Sequence, residues 1–506
     1  MPKSYTMIEY PKTYLVEAQK IYTFDSENTV GVAILIDDGQ VKELFTTSPP
    51  LELPKLKFSS NFVVPGFIDS HTHILLTGLQ MIFPDLSGVQ SITEILDLIN
   101  TYRKLAQDLG FLICYNFEPE KIKENRYIHK DELDHAISQE PVIVLRSDVH
   151  SASVNSCALN MLSQTEKFNS TINPSAYQTG ILKGRDFELA YKTFFLKIPH
   201  DLKLQAFRIA LNAATSVGIT TLVTMLGSDE DSTSCELLLE NLGNFPIEVV
   251  LFYQTRDIKR VTELGLKRIG GCILIDGSFG SHTAAIFGNY NDRPETNGAL
   301  YFLDQELEEF FQAAETHGLQ TAVHAIGDRA IDQVLRVWEK LLKANELRHR
   351  IEHCELVNET LITRIKNLGL VVSGQPTFEH YWGGPNGLYA KRLGSRWRLT
   401  NPFATFIKEG IMVLGGSDAP ITPLNPLLGI KSAVFHPNYE ARISLLEAYK
   451  LFTVNGAWGI FAEDRLGQLK PNYEANFVVL EKDPLVFAEN TIKAVFYRGK
   501  KLYPKN

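Results

Sequence analysis

Phe62-Val63-Val64-Pro65-Gly66-Phe67-Ile68-Asp69-Ser70-His71-Thr72-His73 is the stretch on which the reading of this chain turns. Its apolar part reads as a buried strand. In a strand, side chains i and i+2 point to the same face. His71 and His73 therefore project side by side from one strand end, at a spacing that a small divalent metal can bridge. Asp69 lies on the same face two residues earlier. A lone His-x-His is weak evidence, because histidine pairs also occur as solvated or hydrogen-bonded groups. Its weight comes from what stands at later strand ends.

Working outward, seven more apolar runs follow, over 219–225, 247–253, 272–276, 319–324, 349–353, 370–374 and 411–417. Helical patterns separate several of them, for example 307–317 and 331–342. With 62–69 they make a strand–helix alternation repeated about eight times, the signature of an α/β fold of the (β/α)8 TIM-barrel type. Residues from about 80 to 215 stand between the first two runs and carry strands of their own, such as Phe111-Leu112-Ile113-Cys114-Tyr115 and Val142-Ile143-Val144-Leu145. This stretch reads as a large insertion, since barrel loops usually span ~2–6 residues. Both chain ends are rich in short strands and turns: Gly31-Val32-Ala33-Ile34-Leu35-Ile36 near the start, Ala475-Asn476-Phe477-Val478-Val479-Leu480 near the end. They predict one small β-sandwich domain built from 1–61 plus 465–506, around a barrel domain over 62–464.

The chain has 506 residues, 44% apolar and 22% charged, which is globular composition with room for more than one domain. A formal net charge of -9 argues against nucleic-acid binding through phosphate neutralisation. Asp25 and Glu27 interrupt the early sequence, so no cationic segment leads into an apolar one. No apolar stretch reaches the ~18 residues of a membrane span. The five cysteines (Cys114, Cys157, Cys235, Cys272, Cys354) are scattered, odd in number and in no CxxC pair, which fits a reducing compartment. The expectation is a cytoplasmic protein acting on a small molecule without nucleic acid or membrane, with a homodimer left open.

In such barrels, chemistry sits at the C-terminal ends of strands. His71 and His73 follow the first run, His324 and His353 end two later ones, and Asp418 follows the last, before Ala419-Pro420. Any one of these histidines alone reads more readily as a structural group, and that reading is kept for His129, His135, His200, His317, His349 and His436. Together the four imidazoles and one carboxylate suit zinc or another borderline divalent ion. Such an ion polarises a carbonyl and brings the pKa of a water molecule towards ~7. Asp418 is then placed to take that water's proton and hand it to the leaving group.

Val64-Pro65-Gly66-Phe67-Ile68-Asp69-Ser70-His71-Thr72-His73 resembles the opening of the amidohydrolase superfamily. Val323-His324-Ala325-Ile326-Gly327-Asp328-Arg329-Ala330, Arg350-Ile351-Glu352-His353, Gly416-Ser417-Asp418-Ala419-Pro420 and Asp276-Gly277-Ser278-Phe279-Gly280-Ser281-His282-Thr283-Ala284-Ala285 are similar to its YtcJ-like branch, which includes N-substituted formamide deformylases. The resemblance spans nearly the whole chain. One departure stands out: many relatives have a lysine four residues before this Asp-Gly, whose carbamate bridges two metals, and this chain has Cys272 there. Lys267 is too early to substitute. The resemblance therefore implies one tightly held metal rather than a bridged pair. Cys272 is either a thiolate ligand to it or a small buried apolar group, and the sequence leaves both open.

Asp148-Val149-His150-Ser151-Ala152-Ser153-Val154-Asn155 resembles a family segment that reaches over the barrel mouth, which makes His150 a candidate for substrate binding, with a structural loop role as the alternative. His282, after the Asp276-Gly277 turn, and Gln375, at the seventh strand end, are further substrate candidates. Phe378, Tyr381 and Trp382 read as an apolar wall or as ordinary loop packing. The function expected is a metal-dependent hydrolase of non-peptide carbon–nitrogen bonds, such as an N-acyl or N-formyl amine. An esterase or lactonase with the same site, and a catalytically silent sensor, are the alternatives.

Overall fold

The structure, a computed structural model, describes residues 11–50, 52–147, 149, 151–164, 172–228 and 231–504. In chain order its strands are β1 (Thr13–Tyr22), β2 (Val30–Asp37), β3 (Gln40–Phe45), β4 (Lys55–Pro65), β5 (Phe67–Thr72), β6 (Leu112–Phe117), β7 (Val142–Arg146), β8 (Ser151–Val154), β9 (Ile181–Lys183), β10 (Ile219–Leu226), β11 (Glu248–Tyr253), β12 (Arg268–Ile269), β13 (Gln320–Ala325), β14 (Arg350–His353), β15 (Val371–Gly374), β16 (Val413–Gly415), β17 (Phe477–Leu480), β18 (Ile492–Tyr497) and β19 (Lys500–Tyr503). The described chain forms two compact units. One runs to Ile74 and resumes at Leu211; the other is Leu75–Ala210.

In the first unit, strands from both chain ends share a seven-stranded sheet in the order β19-β18-β17-β4-β1-β2-β3. Its core holds Val16, Ile21, Ile34, Val63, Phe477, Val479 and Phe496. The Phe477 and Phe496 rings stack with centroids 4.3 Å apart.

The same unit holds an eight-stranded sheet in the order β16-β15-β14-β13-β12-β11-β10-β5, with parallel neighbours throughout. Parallel strands covered on both faces are buried along their length, and every residue of β10, its three threonines included, is buried. The sheet curls until its two edges meet. At the end of β5 and just past β16, the Asp418 N–H donates to His71 O at 2.8 Å and the His73 N–H to Ala419 O at 2.8 Å. This is the TIM barrel that strand–helix alternation predicts.

Two of the predicted strands are corrected. The run over 62–69 is not one strand: its first part completes β4 in the terminal sheet, and the barrel strand begins at Phe67. Pro65 still pairs with Phe477 and the Gly66 N–H donates to Asn476 O at 2.8 Å, whereas the Phe67 N–H turns to Gly218 O at 3.0 Å, so the chain changes sheets between Gly66 and Phe67. The fourth barrel strand is β12, not 272–276. It stops at Gly270, whose φ is +90°. An added Cβ there would sit 2.3 Å from the Ala322 carbonyl oxygen. Pairing with β13 resumes only as a single bridge between Leu274 and His324. Cys272 thus follows the fourth strand, on the side where the histidines lie, instead of starting it.

The barrel helices begin earlier than apolar periodicity predicts. Asp304–Thr316 and Asp328–Leu341 replace 307–317 and 331–342. Their first turns carry Asp304, Glu306 and Asp328, which suit the positive end of a helix but leave no apolar trace. Trp338, on the buried face of the second helix, lies flat on Phe311 of the first at 4.3 Å.

The second unit contains a four-stranded sheet in the order β6-β7-β8-β9. Among the described residues, no helix is long and apolar enough to cross a membrane.

Gly270 offers a direct test of the strand break. Gly270→Ala should lower the thermal unfolding midpoint well beyond Gly265→Ala. Both glycines have positive φ, but a Cβ at Gly265 meets nothing within 4 Å. Backbone strain alone costs about 1–3 kcal/mol, and only Gly270 adds a clash with backbone. Equal shifts in the two variants, scanned at one rate, would contradict this account of where β12 ends.

Candidate metal centre

The C-terminal ends of the barrel strands bring together the residues that the sequence singled out. His71 lies in β5, His324 in β13 and His353 at the end of β14, while His73, Cys272 and Asp418 follow β5, β12 and β16. All are buried except His73, which is partly exposed. Three residues here take left-handed backbone conformations that non-glycine residues avoid: His353 (φ 68°), Cys354 (φ 52°) and Asp418 (φ 55°). Such strain persists where the surroundings over-determine it, and it concentrates at functional sites.

The side chains form two overlapping donor groups. Ligand atoms of His71, Cys272 and His353 lie within 4.8 Å of one another, and so do those of His71, His73 and Asp418. Asp418 Oδ1 is 3.2 Å from His71 Nε2 and 3.1 Å from His73 Nε2. His324 Nδ1 stands 3.8 Å from Cys272 Sγ.

Each of three imidazoles is tied by its outward nitrogen. His71 Nδ1 meets Glu352 Oε2 at 2.5 Å. His353 Nδ1 meets Gln375 Oε1 at 2.7 Å. His324 Nε2 meets the Gly277 carbonyl at 3.1 Å. All three partners are acceptors, so each ring donates outward and turns a lone pair inward. Inside the pocket, His71 Nε2, His353 Nε2 and Asp418 Oδ1 are buried without a hydrogen-bond partner. Buried polar atoms are rarely left so. With both rings neutral these atoms have no proton to share among themselves, and a cation suits inward lone pairs and a carboxylate oxygen of this kind.

Electrostatics agree. Burial opposes charge on Asp418, but the His71 and His73 side chains beside it prevail and hold it well below the ordinary carboxylate range. Burial likewise opposes a thiolate at Cys272. Contacts with His324, His353, His71 and His73 outweigh it and hold the thiol well below its usual range, and the thiolate is the form that binds metal.

Several supporting residues escaped the sequence reading. Asp276 accepts from the backbone N–H groups of Ala285, Ile326 and Gly327 at 2.8, 3.0 and 2.8 Å, which pins the segment after Cys272 against the end of β13. Its carboxyl is pushed up to about 6 by burial. Asp69 accepts from the Ser417 N–H at 2.9 Å and the His71 N–H at 3.3 Å, and burial pushes it too to about 6. Arg350 and Glu352 pair inside the barrel. Burial works against the Glu352 charge, but Arg350 and His71 hold its carboxyl down to about 2. One signal was legible for this pair: opposite charges at i and i+2 in a buried strand share a face and must find partners there.

The predicted substrate contacts fare differently. His150 lies outside the described residues, as does Asp148. His282 faces Asp292, with Nε2 3.1 Å from Oδ1, and its ring packs edge-on against Tyr290; it belongs to neither donor group. Gln375 is fully engaged on one side: its carbonyl serves His353, and one amide N–H donates to Ser373 O at 3.0 Å. Of the three aromatics, Phe378 lies nearly parallel to the His353 ring at 5.8 Å and Trp382 meets Phe378 edge-on at 4.8 Å, while Tyr381 is half exposed.

A family model described as "Amidohydrolase family" matches residues 60–503. Among curated proteins, the chain is 28% identical to "Putative amidohydrolase YtcJ" of Bacillus subtilis (strain 168), over 92% of this chain and 93% of that protein. It is 22% identical to "N-substituted formamide deformylase" of Arthrobacter pascens, over 94% of each. Among solved structures, an uncharacterized metal-dependent hydrolase from Pyrococcus furiosus superposes with a TM-score of 0.79 at 26% identity, covering 94% of this chain and all of that one.

Proposed function

The chain belongs to the amidohydrolase family, and from that premise we propose that it cleaves a carbon–nitrogen bond other than a peptide bond, at an amide or formamide carbonyl of a small molecule, with one zinc ion. That it is a metal-dependent hydrolase follows from the family and from the solved structures it resembles. The observation that supports a bound metal ion is the trio of buried, unpartnered atoms His71 Nε2, His353 Nε2 and Asp418 Oδ1. A formamide or N-acyl amine is supported by the deformylase of Arthrobacter pascens among the relatives.

His71, His73, His324, His353, Asp418 and Cys272 would hold the ion. When bound, it supplies Lewis acidity to the substrate carbonyl and to water. The remaining work belongs to this chain's side chains. Asp418 starts as a carboxylate, kept ionised by the two imidazoles beside it, and so serves as the base that takes a proton from the attacking water. The same carboxyl then returns that proton to the departing nitrogen, which avoids expelling an amide anion. Substrate orientation falls to His150, His282 and Gln375, the last through the second of its amide N–H groups. Phe378 backs the His353 ring and limits its movement. The five cysteines carry no disulfide, which supports a cytoplasmic setting.

Asp418→Asn keeps the shape of the side chain but removes its ability to accept a proton at neutral pH. Turnover of a hydrolysed amide should fall by about 10²–10⁴-fold or more, with circular dichroism unchanged. A wild-type rate in this variant would move the proton transfer elsewhere.

Cys272→Ser tests the sulfur. If Cys272 is a ligand, the variant binds zinc more weakly in a chelator competition, because a serine hydroxyl is a far poorer ligand than a thiolate. Wild-type affinity should also decline faster than the variant's as pH falls, since protons compete for the sulfur. Equal affinity and stoichiometry in both proteins would make Cys272 a packing residue.

A further inference from the structure

Among the described residues, His71 is the member common to both donor groups. The orientation of its ring therefore decides whether the two groups face one centre. Its outward nitrogen, unlike those of His353 and His324, meets a carboxylate: Glu352 Oε2, at 2.5 Å. His353 has an amide carbonyl and His324 a backbone carbonyl in the same role.

Glu352 is fully buried and does not stand alone. Arg350 Nε donates to its other oxygen, and Arg350 Nη2 reaches Oε2 at 2.9 Å. The same Nη2 donates to Ser70 O at 2.5 Å and Ser373 Oγ at 2.9 Å, so the guanidinium spans β5, β14 and β15. Its carbon lies 4.8 Å from the centre of the Phe252 ring. An arginine and a glutamate already paired need no histidine for their own sake. Placing the carboxylate against the imidazole must serve the imidazole.

We propose that Glu352, bound on its other side by Arg350, is a positioning residue for the metal site: it accepts the Nδ1–H of His71, so that Nε2 alone carries the lone pair offered to the ion. A carboxylate partner also makes the imidazole a stronger donor than an amide or carbonyl partner does. The most shared ligand thus has the most basic support. This inference rests on the metal-site reading above.

The tests are zinc affinity, by competition with a chromophoric chelator, and the state of the His71 nitrogens, by NMR of protein labelled with ¹⁵N-histidine. Glu352→Gln should weaken zinc binding by about 10–100-fold, the usual effect of losing such a partner, and Glu352→Asp should recover part of that loss. Zinc-loaded wild type should show His71 protonated at Nδ1 and metal-bound at Nε2, its signal assigned by its disappearance in His71→Asn. Wild-type zinc affinity in a folded Glu352→Gln protein would overturn the proposal while leaving the hydrolase reading intact. A His71 bound to zinc through Nδ1 would overturn it equally, and that measurement needs no variant at 352 to fold. If His71→Asn retains wild-type zinc content, the metal-site reading fails as well.

Discussion

Closing the barrel and assembling the site are one event. A sheet of eight strands becomes a barrel only when its first and last strands meet in a defined register. Here the meeting is the pair of hydrogen bonds His71 O to Asp418 N–H and Ala419 O to His73 N–H, 2.8 Å each. Asp69 adds its carboxylate to the Ser417 N–H. A slip of one residue would turn His71 and His73 away from Asp418, because strand side chains alternate faces. The positive φ of Asp418 belongs to this seam: backbone strain is held in place by bonds on both sides and aims the carboxylate at two imidazoles.

From the seam the polar network spreads across the barrel end in a consistent way. Outward nitrogens find acceptors, and His71 Nε2, His353 Nε2 and Asp418 Oδ1 are left without a hydrogen-bond partner inside. Supporting the histidines requires buried charge, which in isolation is strongly unfavourable. Arg350 and Glu352 offset each other, and the guanidinium's contacts with Ser70 O and Ser373 Oγ bind three strands to the same pair. Asp276 holds the segment carrying Cys272 against β13 by three backbone bonds. Removing one partner of such a network leaves a buried group unsatisfied, so the fold and the site stand or fall together here.

Much of this was legible in the residues. The barrel showed itself in the alternation of apolar runs with amphipathic segments, and the ligand candidates in their position at run ends. The misread pieces have local causes. The run 62–69 is continuous in hydropathy, and only Pro65-Gly66 marks the passage between two sheets. The segment 272–276 is as apolar as a strand, while the true strand is the short Arg268–Ile269, halted by two glycines in left-handed conformations. Apolar content alone does not mark pairing. Glu352 and Arg350 lay within a quoted motif, but a charge pair in a strand declares only that it must be satisfied, not by what. Gln375 was legible as a polar residue at a strand end; its bond to His353 is a relation across two strands that sequence order does not carry.

The most direct measurement follows amide or formamide hydrolysis and zinc content together while a chelator strips the protein and zinc is then returned. Activity should fall in proportion to zinc, with about one ion per chain at full activity, and should recover on re-addition. Hydrolysis that persists in metal-free protein would contradict the central claim that the pocket of His71, His73, Cys272, His324, His353 and Asp418 works through a bound ion.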